Sequence, residues 1–155
     1  MGDFGTKFRV TTFGQSHSEA RGAVIEGIPA GFEPDVEGLK AFMARRSPGK
    51  DRTTARKEAD EVRFASGLVN GKTCGAPLCL IIENTDVRSK DYENVRDVPR
   101  PNHADFAAFV KYGGHNDVRG GGQFSGRLTA PACAAGFLAM QLLERRGIRI
   151  VSHVS

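Results

Sequence analysis

The sequence predicts an α+β fold in which buried helices pack on a mainly antiparallel sheet. Three observations carry this expectation. Strand-like segments follow one another through short, turn-rich links, strict β-α-β alternation is absent, and one long apolar helix has almost no polar face. Residues 7–13, KFRVTTF, alternate and are β-branched or aromatic, so they predict a first strand. Gly14 interrupts it, and GQSHS at 14–18 reads as a loop. Residues 23–28 predict a second strand, closed by Pro29-Ala30-Gly31. Asp35 is placed to cap a helix running to Arg46, with Val36, Leu39, Phe42 and Met43 on one face. Residues 62–69 and 77–83 predict two further strands, joined by NGKTCGAP.

The second half is organised differently. Residues 84–102 are polar and irregular, and a loop of that length in a compact domain is usually functional or mobile. A short helix is expected at 104–111, followed by a glycine-rich stretch at 113–126. Thr129 is expected to cap an apolar helix with Pro131 in its first turn, and Arg145, Arg146 and Gly147 supply its termination. Residues 148–154 alternate as a last strand.

Composition narrows the function. At 155 residues the chain suits one domain, and 39% apolar with 26% charged residues is ordinary for a globular protein. No apolar run approaches the roughly 18 residues of a membrane span, and the start MGDFGTKFRV lacks a secretory h-region. Cys74, Cys79 and Cys133 are odd in number and form no CxxC pair, which argues against a disulfide framework or zinc site and fits a reducing cytoplasm. Residues 45–57, RRSPGKDRTTARK, hold six bases against one acid, a local +5 in a chain of net +4. That concentration suggests a local anionic ligand, the plainer alternative being a solvated basic loop. No aromatic stacking platform accompanies it, so nucleic acid is not an expected partner.

Few motifs compete for the chemistry. NGKT at 70–73 is not a P-loop, because the consensus requires glycine at 66, where Ser66 stands. Neither GxSxG nor a cysteine beside a histidine suggests a covalent nucleophile. His17, His103, His115 and His153 show no metal-ligand spacing, so no metal is expected. His17 and His103 sit in polar, turn-rich loops where an imidazole can serve as acid or base. Gly120-Gly121-Gly122 after Arg119 lets backbone N–H groups converge on an anion or a flat ring, and a flexible hairpin tip is the alternative.

Taken in order, FRVTTFGQSH (8–17), EGIPAG (26–31), RRSPGKDR (45–52), RKEADEV (56–62) and SGLVNGKTCGAPLCLIIENTD (66–86) resemble the chorismate synthase family. RSKDY (88–92), RPNHADF (100–106) and KYGGHNDVRGGGQFSGRLTAP (111–131) continue the resemblance across nearly the whole chain. Two loops depart from it. The family's GESHG reads Gly14-Gln15-Ser16-His17-Ser18, and its RPGHAD has Asn102 in place of glycine. Family members are more than twice as long, so residues 1–155 are expected to be an N-terminal portion carrying about the first half of the family fold.

The resemblance implies a carbon-oxygen lyase of aromatic biosynthesis. It would eliminate phosphate from 5-enolpyruvylshikimate 3-phosphate in a 1,4-anti sense, giving chorismate. Reduced FMN is the implied cofactor, with NADPH as a source of reducing electrons, and a cytoplasmic homotetramer the implied assembly. His103 is carried over as the acid for the departing phosphate and His17 as the partner of the reduced flavin. Arg46 and Arg52 match positions lining the anionic pocket, and Gln123, Phe124 and Ser125 match an FMN-contacting segment. The alternative is a truncated, non-catalytic fragment that binds a phosphorylated ligand without turnover.

Overall fold

The computed structural model describes residues 2–46, 60–84 and 98–153. In chain order the elements are β1 (Asp3–Phe4), β2 (Arg9–Gly14), β3 (Ala20–Glu26), α1 (Val36–Arg46), β4 (Arg63–Ser66), β5 (Leu68–Val69), β6 (Lys72–Thr73), β7 (Leu78–Glu83), α2 (Asp105–Tyr112) and α3 (Thr129–Glu144). Five strands form one sheet in the order β1-β2-β3-β7-β4, and every pairing is antiparallel. The predicted α+β class is therefore correct.

Period-two alternation decides which side of the sheet becomes core. Val10, Ala23, Ile25, Leu78, Leu80 and Ile82 all turn to one face and are buried. They meet Ala130, Ala134, Ala135 and Leu138 of α3, while Leu39 and Met43 of α1 close the same cluster. Alanine-rich α3 can approach the sheet closely, and each fully buried Leu or Ile contributes about 1.5–3 kcal/mol. Asp35 caps α1 as expected: its Oδ1 accepts the Gly38 N–H at 2.8 Å. Of the predicted α1 face, Leu39 and Met43 are buried, Phe42 lies against Phe137 with ring centroids 4.9 Å apart, and Val36 stays exposed.

Four local expectations need correction. The single strand expected at 62–69 is two elements, because Gly67 takes φ +91° and its Cβ position would lie 2.7 Å from Leu78 Cα. The second of these pairs with β6 through Asn70-Gly71, whose φ values of +49° and +76° are what a tight hairpin turn demands. Thr129 does not cap α3: the helix begins at that residue, and its hydroxyl donates to Gly126 O at 2.6 Å. Residues 148–153 form no strand, and Ile148, Ile150 and Val151 are exposed. A strand exists only with a partner for its backbone, and no described segment lies alongside to provide one.

Candidate active site

The loop between β2 and β3 carries Ser16 and His17, both buried. It is tied down from three directions. Ser16 N–H donates to Gly122 O at 3.0 Å, Arg127 Nη1 donates to Ser16 O at 2.8 Å, and Asn84 Nδ2 donates to Ser18 O at 2.6 Å. The glycine-rich segment Arg119–Phe124 thus lies against the His17 loop. Gly120, Gly121 and Gly122 have φ of +56°, +92° and +53°, a run that side-chain-bearing residues rarely adopt.

Adjacent glycines face the two histidines singled out from the sequence. A Cβ on Gly120 would lie 2.5 Å from His17 Cε1, and one on Gly121 would lie 3.3 Å from His103 Nε2. Tertiary structure therefore brings His17, His103 and the triple glycine to one place. His103 is partly exposed, and its Nδ1 is 2.6 Å from Asp105 Oδ1. Arg100 grips that carboxylate through Nε at 2.7 Å, Nη2 at 2.9 Å and its own backbone N–H at 3.0 Å. Hydrogen bonding from Arg100 outweighs burial and holds the Asp105 carboxyl far below the usual carboxylate range. Asp117, beside His17, is also held low: burial pushes it up, and its hydrogen bonds from Arg119 with the nearby positive charge push it down further.

Ser125 Oγ accepts the Arg127 N–H at 3.3 Å, which fixes the turn leading into α3. Phe124 is 46% exposed. With Gln123 it lines a polar cavity of about 230 Å³ whose other walls include Gln15, Tyr112 and Asp117. Arg46, at the end of α1, reaches the same turn. Its Nη2 donates to Gly126 O at 3.1 Å and Thr129 Oγ1 at 3.0 Å, and its Nη1 pairs with Asp60. Asp60 also accepts from Arg21 Nη2 at 2.5 Å, both side chains being essentially buried. Arg52, the other expected anion-binding residue, lies outside the described residues. No cluster of three or more metal-ligating side chains occurs among the described residues.

A family model described as chorismate synthase matches residues 8–155. The chain belongs to the chorismate synthase family. A chorismate synthase of Thermococcus kodakarensis is 49% identical over 142 residues, covering 92% of this chain and 40% of that protein. One of Lancefieldella parvula is 49% identical over 152 residues, covering 97% and 40%. A crystal structure of a chorismate synthase superposes with TM-score 0.66 at 29% identity, covering 93% of this chain and 36% of that one. The chain thus spans about 40% of the length of the curated relatives it matches.

Two residues at which the sequence departs from the expected motifs have a physical reading. Asn102 sits at φ +56°, and asparagine is among the few side chains that tolerate this region. Ser18 closes its own turn: its Oγ accepts the Gln15 N–H at 2.9 Å and lies 2.6 Å from Ala20 O. Sequence reasoning missed Asp60, Arg100, Asp105 and Arg127. RPNHAD did contain one usable signal, an acid two residues after a loop histidine. Arg21 and Asp60 carried none, being single charges separated by 39 positions.

Proposed function

We propose that this chain contributes the phosphate-leaving side of a chorismate synthase site. The reaction is elimination of phosphate from 5-enolpyruvylshikimate 3-phosphate to give chorismate. One observation carries the reading: adjacent glycines of a single turn face His17 and His103, and the turn directly after them holds Arg127 and is reached by Arg46 from α1. Loss of phosphate requires a proton for the departing oxygen and cations around the developing charge. His103 serves as the proton donor. Arg46 and Arg52 supply guanidinium groups, which stay charged and match phosphate geometry.

The site suits a flat, polar-edged cofactor, because Phe124 offers a half-exposed ring beside Gln123 in the cavity that Gln15, Tyr112 and Asp117 also line. Gln123, Phe124 and Ser125 would hold reduced FMN there, with His17 at its edge. Reduced FMN, when bound, supplies an electron-rich face beside the bond to be broken. NADPH is the expected source of reducing electrons, and the expected assembly is a cytoplasmic homotetramer. No described helix is long and apolar enough to cross a membrane.

The test is an anaerobic assay with dithionite-reduced FMN and 5-enolpyruvylshikimate 3-phosphate, with binding of each measured separately. Saturable binding of the phosphorylated substrate, weakened at least tenfold in Arg52→Ala, is expected. Substrate affinity unchanged in both Arg46→Ala and Arg52→Ala would sink the phosphate-site reading. Binding without turnover identifies a fragment that holds the ligand but does not complete the chemistry.

A further inference from the structure

We infer that Asp105 is the positioning residue for His103: it fixes the Nδ1–H tautomer, so that Nε2 is the nitrogen presented to the glycine turn. Two groups compete for Nδ1. Asp105 Oδ1 lies 2.6 Å away and can only accept, which requires a hydrogen on Nδ1. Arg100 Nη2 lies 3.4 Å away and can only donate, which requires a bare Nδ1. Geometry decides between them. The carboxylate contact is short and charge-assisted. The guanidinium contact is long, and Arg100 Nη2 already donates to Asp105 Oδ1 at 2.9 Å and Val118 O at 3.3 Å. Nδ1 therefore carries the hydrogen.

The carboxylate is itself fixed. Asp105 is 6% exposed at its side chain, opens α2, and receives three hydrogen bonds from Arg100. With Nδ1 committed, Nε2 lies at the opposite edge of the ring, where Gly121 leaves room that a side chain would occupy. The consequence for proton transfer is specific. A proton leaving His103 departs from Nε2, and the Nδ1–H···Asp105 bond is kept before and after. Asp105 gains and loses no proton; it orients the ring.

Asparagine at 105 should invert this arrangement. Arg100 aims two donors, its N–H and Nε, at the Oδ2 position and only one, Nη2, at Oδ1, so an amide would keep its oxygen at Oδ2. Its NH2 would then face His103 Nδ1 and favour the Nε2–H tautomer. The catalytic meaning of the inference rests on His103 being the proton donor, but the tautomer itself is read without substrate or flavin.

The experiment is imidazole 15N–1H correlation on the full 155-residue chain, two pH units above the free imidazole value of about 6.5. Wild type should show His103 with Nδ1–H exceeding Nε2–H by roughly tenfold or more, as a charge-assisted bond supplies. Asp105→Asn should reverse that preference, while exposed His115 and His153 stay unchanged as internal standards. A His103 signal dominated by Nε2–H in wild type overturns the inference, whether or not the variant folds. So does a folded Asp105→Asn protein that retains Nδ1–H. Failure of substrate binding with the expected tautomer intact would count against the proposed function alone.

Discussion

At Gly120 two separate constraints coincide: φ is +56°, and a Cβ would lie 2.4 Å from Ser16 Oγ and 2.5 Å from His17 Cε1. Backbone strain of this kind costs about 1–3 kcal/mol before any displacement of the imidazole. Gly120→Ala should therefore lower the urea midpoint with an unchanged m-value. A loss under about 0.5 kcal/mol, the range of an ordinary surface change, would contradict the close packing on His17. Asp105 makes a different prediction, about pH. Its folded pKa lies below the unfolded value of about 3.9, so between the two the unfolded state binds more protons. Its stabilising contribution is complete above the unfolded value and is lost as pH falls through the folded one. Asp105→Asn should thus be less stable than wild type at neutral pH, with the gap closing under strong acid in urea titrations. A gap that stays constant from neutral pH down to strong acid would show that the Arg100 pair contributes nothing to the acid limb.

Among the elements, the join between α1, the sheet and α3 depends on one carboxylate. Asp60, ahead of β4, pairs with Arg21 of β3 and Arg46 of α1, and Arg46 continues to Gly126 and Thr129. Removing it leaves two guanidinium groups facing each other where only Arg46 is partly exposed. Breaking a buried pair from one side costs about 3–5 kcal/mol, more than most cavities of one methyl group. Asp60→Ala should lose that much in denaturant unfolding. A change below about 1 kcal/mol would place the carboxylate in solvent instead. The same contact positions the turn holding Ser125, so the variant should also weaken reduced FMN binding.

For the molecule as a whole, the exposed apolar surface is the salient property. Phe106, Phe109 and Val110 line one side of α2, each more than half exposed, and Ile148, Ile150 and Val151 are at least 50% exposed beyond α3. An apolar groove of about 720 Å³ opens beside the end of α3, between Phe8, Phe32 and Leu142. Apolar surface on this scale favours association. The 155-residue chain alone should form concentration-dependent oligomers in sedimentation velocity, and it should turn over substrate poorly because a 1 Å misplacement costs about 10²-fold. A monodisperse monomer at tens of micromolar, or turnover within tenfold of a full-length relative, would refute this.

Local chemistry made much of the architecture legible. Asp35 as a cap, the alternation around Ala23–Ile25 and the Gly147 stop each act within a few residues, so their effects are written in order along the chain. Collinear blocks such as RPNHAD and RGGGQFSGR carried the family assignment for the same reason. What sequence could not supply is whatever needs a partner from far away. Residues 148–153 alternate as a strand should, yet backbone pairing is a property of two segments and only one is present among the described residues. Arg21 looks like a surface charge until Asp60 is found beside it. His17 and His103 were separate loop histidines until a turn of three left-handed glycines put one against Gly120 and the other against Gly121. Covalent order determines which groups are available, and only closure of the fold, with its steric and Coulombic demands, determines which of them meet.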